Sequence, residues 1–410
     1  MNEFYEQYKK LKTQLSYNYK GYCIEEILAI RIWIFCQYGP MGRESFRSRK
    51  SYGNLFQGEK DCLMIYGRYG RKDHEYTFDC VHKRLEDKYD SIKLEQHPDV
   101  TQASIKNILL SFWLIFVALK TRGMNFRSKL FWTSCFCYIF NTIDHLESMP
   151  ERHIRKLLCF SAIHEDENIL KQYFRKHGAT TYSMFHGTNI QQIHNVTIDC
   201  LTYENLDVDY SLPWGQYGKD EFVKTGFPAE KLLVAGYPRE MKLLPINRKS
   251  KISRCVLLMS RSQFEATDTK LMNMLANQKQ INFSVKLHPS CNEPKFSVLC
   301  AEYGMDLIPK TTLLSDCLNN TNYDFAVAVN TTSYYEALVA GLPCMRYKDG
   351  DKYDMMQGDS HDEFEDESGF VKSLCWMEQC IQSGQYDAVR KSILTYCIGY
   401  DIDKYREILI

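Results

Sequence analysis

The sequence predicts an α/β architecture with two parallel-sheet domains, and three observations predict it. The chain has 410 residues and a mass of 48.2 kDa, more than one ordinary hydrophobic core organises. After Pro150, short apolar runs alternate with amphipathic segments, the rhythm of parallel strands and the helices that cover them. The rhythm pauses at the polar, basic stretch 247–254 and then repeats. The predicted division is a first domain over 1–245 with a helical N-terminal part, a second over 246–390, and a C-terminal helix in 391–410 that packs back on the first.

The opening MNEFYEQYKKLKTQL is polar and helical and has no apolar signal core, so the chain is expected in the cytoplasm. Residues 25–37 form an apolar helix candidate, and 39–60 a loop carrying Arg43, Arg47, Arg49 and Lys50. A strand at 62–66 runs into the turn Gly67, Arg68, Tyr69, Gly70, and the region 100–150 is helical. Two apolar runs there, 108–119 and 130–140, fall short of the ~20 residues a membrane-spanning helix needs. They predict a pair of buried helices. The alternative is a membrane-surface hairpin, because Lys120, Arg122, Arg127 and Lys129 lie between them.

In the rest of the first domain, strands are expected at 156–163, 180–185, 196–201 and 232–235, with a helix at 166–176. The second domain opens with a strand at 255–259 that ends in Ser260, Arg261 and Ser262. A helix follows at 268–278, then a strand at 283–287 that ends in His288 and Pro289. A strand at 325–329 runs into Asn330, Thr331, Thr332 and Ser333. The helix 334–340 is stopped by Gly341, and a strand at 343–347 precedes an acidic loop at 349–367 and terminal helices.

Composition narrows the function. Lys+Arg and Asp+Glu are both 51, so the net charge is zero, which excludes a dedicated nucleic-acid binder built on clustered cations. The 16 cysteines contain no Cys-x-x-Cys pair and sit in apolar stretches, so they read as reduced, buried thiols. No metal and no separate cofactor are expected.

The chemistry gathers at strand ends, where open parallel sheets bind ligands. Thr331, Thr332 and Ser333 at a helix start supply hydroxyls and backbone N–H groups for a nucleotide phosphate, with Glu336 one turn on to accept from ribose hydroxyls. Plain helix capping would use the same residues. His288 can donate to a phosphate oxygen or protonate a leaving phosphate, with Pro289 fixing the turn. Arg261 beside Ser260 is a candidate phosphate clamp. In the first domain, His186 precedes Gly187 after a strand. Glu165, in the run His164-Glu165-Asp166-Glu167, could be the base that deprotonates an acceptor hydroxyl; a solvated acidic helix start is the plainer reading.

Four stretches together resemble a known family. They are TTYSMFHGT from Thr180, WGQYGKDEFVKTGFPAEKLLVAGYP from Trp214, KLHPS from Lys286 and NTTSYYEALVAGLP from Asn330. The chain resembles GT-B fold glycosyltransferases of bacterial surface-polysaccharide synthesis (capsule or lipopolysaccharide). That group includes sialyl- and Kdo-transferases and teichoic acid glycerophosphotransferases. The resemblance implies two Rossmann-like domains facing across a cleft, with extra N-terminal helices. It also implies a nucleotide-sugar donor, CMP-, CDP- or UDP-linked, held by His288 and by Thr331, Thr332 and Ser333, with His186 in the cleft. The acceptor would be a glycan or a lipid-linked precursor, reached at the inner face of the membrane if the chain is peripheral there. Some relatives carry a paired acidic motif before a glycine in the first domain; here the turn from Gly67 to Gly70 is basic instead. A non-catalytic scaffold and a nucleotide-sugar 2-epimerase are the competing expectations.

Overall fold

The computed structural model describes residues 3–41, 52, 55, 57–67, 72–94, 104–119, 121, 123–185, 187, 204–246, 252–319, 322–350, 357–399 and 401–410. Among them are two separate parallel sheets, each flanked by helices.

The first sheet is built from β1 (Cys62–Tyr66), β2 (Tyr89–Lys93), β3 (Lys156–Cys159), β4 (Thr180–Met184) and β5 (Tyr210–Leu212). Their spatial order is β2-β1-β3-β4-β5, all parallel. Helices α1 (Glu3–Gln14), α2 (Ala29–Tyr38), α3 (Lys72–Leu85), α4 (Ile105–Trp113), α5 (Phe126–Ser148), α6 (Glu165–Lys176) and α7 (Gln216–Lys224) surround it. β1 is apolar along its length and buried on both faces, as a central parallel strand must be.

The second sheet contains β6 (Arg254–Leu258), β7 (Asn282–Lys286), β8 (Asp306–Ile308), β9 (Phe325–Ala328), β10 (Cys344–Tyr347) and β11 (Glu363–Phe364). Its order is β8-β7-β6-β9-β10-β11, again parallel throughout. Helices α8 (Glu265–Leu275), α9 (Glu293–Tyr303), α10 (Ser333–Val339), α11 (Glu367–Ser383), α12 (Tyr386–Cys397) and α13 (Lys404–Leu409) complete this half and the C-terminus. Val256, Leu257, Val327 and Ala326 at its centre are fully buried; each such aliphatic side chain of Val or Leu size contributes about 1.5–3 kcal/mol.

Several contacts tie the C-terminus to earlier elements. α13 lies on the first sheet: Lys156 Nζ and Tyr89 Oη both donate to the Leu409 carbonyl, at 2.8 and 3.2 Å, and Arg406 grips Asp87 with two bonds of 2.6 and 2.8 Å. Tyr396 of α12 donates to Asp220 of α7 at 2.8 Å. Gly236 allows the chain to pass here: its φ is +85°, and a Cβ would lie 2.5 Å from the Asp401 carbonyl oxygen. Gly341, with φ +75°, ends α10 and sits against the Pro245 carbonyl in the same way.

The structure departs from the sequence reading in places. Residues 232–235 do not form a strand; Leu232 makes an isolated bridge to Ser211, and Ala235 N–H donates to the Pro213 carbonyl at 3.0 Å. β5 is only three residues long and ends at Pro213, so there is little ladder to extend. Helix α8 begins at Glu265, earlier than expected, and 25–37 is broken at Leu28 into the turn Ile24–Ile27 and α2. The expected strand at 196–201 lies outside the described residues, as do 247–251 of the linker. β2, β8, α3 and α9 had no clear sequence signal. The described cysteines are free thiols.

Candidate functional site

The second sheet has the strand order 3-2-1-4-5-6 when its strands are numbered from β6. The order reverses between β6 and β9, and open sheets bind ligands at that crevice, outside the strand carboxyl ends. The residues singled out from sequence meet there. Ser260 follows β6, and its Oγ donates to the Asn330 carbonyl beyond β9 at 3.3 Å. Ser290, beyond β7, accepts from Ser262 N–H through its Oγ at 3.1 Å, and Cys291 Sγ donates to the Ser260 carbonyl at 3.2 Å. Three strand ends are thus stitched into one surface.

His288 is oriented within it. Its Nδ1 accepts the Ser290 N–H at 3.1 Å and lies 2.8 Å from Ser290 Oγ. An Nδ1 that accepts a backbone N–H leaves the proton of the neutral ring on Nε2, the tautomer that can donate to an anion. Pro289 sets the turn that brings Ser290 back under the ring. Arg261 caps a single 3-10 turn, Ser262–Phe264, in extended conformation and is half-buried.

Asn330 has φ +43°, a left-handed conformation that Asn tolerates better than most residues. It turns the chain from β9 into α10. Thr331 Oγ1 accepts from Ser333 N–H at 3.3 Å and lies 3.2 Å from Ser333 Oγ, so part of this hydroxyl set is spent within the turn that leads into the helix. α10 is held from behind by its aromatic residues. Tyr334 Oη bonds Asp362, itself paired with the buried Arg346, and Tyr335 Oη donates to the Gln357 carbonyl at 2.9 Å.

Glu336, on the first turn of α10, lies 3.9 Å from Arg239. Burial pushes its carboxyl up from the ordinary range, and Arg239 pulls it back. Arg239 also donates to Thr77 Oγ1 at 2.8 Å and to the Asp73 carbonyl at 3.3 Å, and its guanidinium lies over the rings of Tyr76 and Tyr237. This cation links α3 of the first half to α10 of the second. Its signal in the sequence was its place directly after Gly236, Tyr237 and Pro238.

Asp268 was also missed. It is fully buried in α8, and its Oδ1 accepts from Ser260 N–H at 3.3 Å. Burial raises its pKa to about 8, so the carboxyl is largely protonated at neutral pH. Asp268 Oδ2 and Asn330 Oδ1 are buried oxygens with no hydrogen-bond partner among the described residues. Ser260 ties both residues to the end of β6, through its N–H to Asp268 and its hydroxyl to the Asn330 carbonyl.

The first-domain candidates fare differently. His186 lies outside the described residues; Trp214 fixes the chain just before it by donating from Nε1 to the Phe185 carbonyl at 2.8 Å. Glu165 spends both oxygens on Arg31, at 2.9 and 3.0 Å. Arg31 therefore competes with any acceptor hydroxyl for this carboxylate, and Glu165 serves to anchor α2 on α6. Its neighbour Glu167 is fully buried and accepts from Gly67 N–H at 2.7 Å and Ser161 N–H at 2.6 Å. Asp207 and Asp209 have the spacing of a metal-binding Asp-x-Asp pair but are engaged by Arg175 and by Thr181. Among the described residues no group of three or more His, Cys, Asp or Glu is arranged to hold a metal ion.

No family model matches the chain, and no curated protein sequence matches it. Solved structures do. The chain is similar to Anabaena HepE in complex with UDP-glucose, with a TM-score of 0.51 at 11% identity over 85% of this chain and 97% of that one. It is similar to the same protein in complex with UDP and glucose, with a TM-score of 0.50 at 11% identity over 85% and 98%. The lipopolysaccharide outer core galactosyltransferase WaaB in its apo form gives 0.49 at 14% identity over 85% and 98%. At such identities the likeness concerns the fold, and the fold of this chain is GT-B: two Rossmann-like α/β domains with additional helices at the N-terminus.

Proposed function

We propose that this chain is a glycosyltransferase that moves a sugar from a nucleotide-activated donor to a hydroxyl of a bacterial surface glycan or lipid-linked precursor. The observation that carries the proposal is the convergence of Ser260, His288, Asn330, Thr331 and Ser333 at the reversal point of the second sheet. In this reading the donor diphosphate or monophosphate lies against the Thr331, Thr332 and Ser333 turn. His288 Nε2–H and Arg261 stabilise the charge that develops on the departing phosphate. Glu336 accepts from ribose hydroxyls, exchanging its Arg239 contact for the nucleotide. The base that receives the acceptor proton is sought near His186, since Glu165 is taken by Arg31. A UDP-linked donor is the first to test, because UDP-glucose is the ligand named for HepE; CMP- and CDP-linked donors come next.

A non-catalytic scaffold is the second reading, and the pairing of Glu165 with Arg31 favours it. Thermal unfolding of the purified protein with UDP, CMP, CDP, GDP or ADP, beside a His288→Ala control, tests the donor site. A ligand at a hundredfold excess over its dissociation constant adds about 2.7 kcal/mol to stability. One nucleotide is expected to raise the melting temperature of the wild type and not of the variant. If none does, the donor-site assignment falls. If nucleotide binds but no donor turns over with any acceptor hydroxyl, the scaffold reading replaces the transferase.

A further inference from the structure

Helix α4 is built inside out. Two uncharged polar residues face inward: Asn107 and Ser111 are fully buried, and Asn107 Nδ2 donates to Asn141 at 2.9 Å and to Asp144 at 2.8 Å on α5. Ser111 Oγ donates to the Asn107 carbonyl at 2.7 Å, and Tyr19 Oη joins the network by bonding Asp144 at 3.0 Å. One row of its apolar residues faces outward. Ile105 is 74% exposed, Leu109 65%, Trp113 54% and Val117 68%, and Phe126 at the start of α5 is 68% exposed beside them. The outward positions recur every four residues, through α4 and the π-helical turn Leu114–Ala118, and so form one continuous stripe. The buried hydrogen bonds fix the rotation of the helix, because turning the stripe inward would take Asn107 away from its partners Asn141 and Asp144 on α5.

The charge around the stripe is one-sided. Between Asp99 and Asp144 the sequence contains Lys106, Lys120, Arg122, Arg127 and Lys129 and no acidic residue, in a chain whose charges otherwise balance at 51 and 51. Lys106 and Arg127 are exposed, and Lys129 Nζ lies 5.2 Å from the ring of Phe116. An apolar stripe containing Trp and Phe, rimmed by cations, matches the interface of an anionic bilayer, where acyl chains take the apolar side chains and headgroups take the charge. A second copy of the same face would set like charges against each other, which disfavours self-association there. The stripe is too short to cross a membrane, and no helix among the described residues is long and apolar enough to do so.

We infer that the outward face of α4 and the start of α5 form a docking surface for an anionic lipid membrane, with Leu109, Trp113 and Val117 entering the interface and Lys106 and Arg127 pairing with lipid phosphates. The assignment is independent of the transferase reading, since lipid binding needs neither donor nor acceptor.

The test is co-sedimentation of the full-length protein with phosphatidylcholine vesicles, with and without phosphatidylglycerol. Binding is expected to be at least about tenfold tighter to the anionic vesicles and to weaken with added salt. The combined change Leu109→Ser, Trp113→Ser, Val117→Ser is expected to abolish it. The combined change Lys106→Glu, Arg127→Glu is expected to weaken it by about tenfold or more. All five positions are exposed, so both variants should melt near the wild type; if the apolar variant melts lower, the charge variant decides. Absence of anionic-vesicle binding, or binding that the charge variant retains in full, overturns the inference. So does a wild-type dimer in light scattering that the apolar variant converts to monomer, because the stripe would then be an interface between copies.

Discussion

The two sheets each reverse strand order once, and the two reversals are filled differently. In the first sheet the reversal lies between β1 and β3, and the Glu167 carboxylate sits across it, taking the N–H groups of Gly67 and Ser161. In the second it lies between β6 and β9, where hydroxyls and an imidazole gather and two buried oxygens, on Asp268 and Asn330, lack partners among the described residues. Both places suit a polar ligand by topology. One has an acid of its own in the position an incoming anion would take. The other holds hydroxyl groups and a carboxyl, Asp268, that burial keeps largely protonated. The contrast supports the proposal that the donor binds in the second domain.

The largest effect should come from removing the built-in acid. Glu167→Ala leaves two buried N–H groups without acceptors and is expected to cost about 3 kcal/mol or more, read by urea unfolding. A loss below about 1 kcal/mol would mean that the first crevice is also open to ligand.

Asp268 sharpens the contrast through pH. Its folded pKa, about 8, is raised above the ordinary 3.8, so across that window the native state holds a proton that the unfolded state has released. Its favourable contribution is complete below pH 4 and is lost as pH rises towards 8. Asp268→Asn keeps the neutral shape and loses the titration. The stability of the variant relative to wild type should therefore rise by about 1.4 kcal/mol from pH 6 to pH 7. A difference that does not change with pH would show that Asp268 is ionised in the folded protein.

Ser333→Ala removes one hydroxyl from the second crevice and should weaken nucleotide binding about fivefold, or ~1 kcal/mol, with little change in melting temperature. Calorimetric titration with UDP would measure it, and unchanged affinity would move the phosphate away from this turn. Arg31→Ala should have the smallest effect on stability, below about 1 kcal/mol, because the pair with Glu165 is partly exposed. If that variant gains rather than loses turnover, the freed Glu165 is the base after all.

The sequence alone carried the parallel strands, because a strand buried on both faces must be apolar along its length, as in CLMIY and FAVA. It carried the polar strand ends too, since His288, Asn330, Thr331 and Ser333 follow such runs directly. It did not carry the short edge strands β2 and β8, whose mixed residues face solvent on one side. It could not tell Glu165 from Glu167, two residues apart in one acidic run. Their difference arises from Arg31 and Gly67, distant in the chain and near only after folding. Nor could it say which side of an apolar run faces out: the 130–140 run packs inward while α4 shows an apolar stripe, because the buried Asn107 finds its partners Asn141 and Asp144 on α5. Local pattern determines which elements form. Which groups lose their water, and which partners replace it, is decided by contacts between residues that only the tertiary structure brings together.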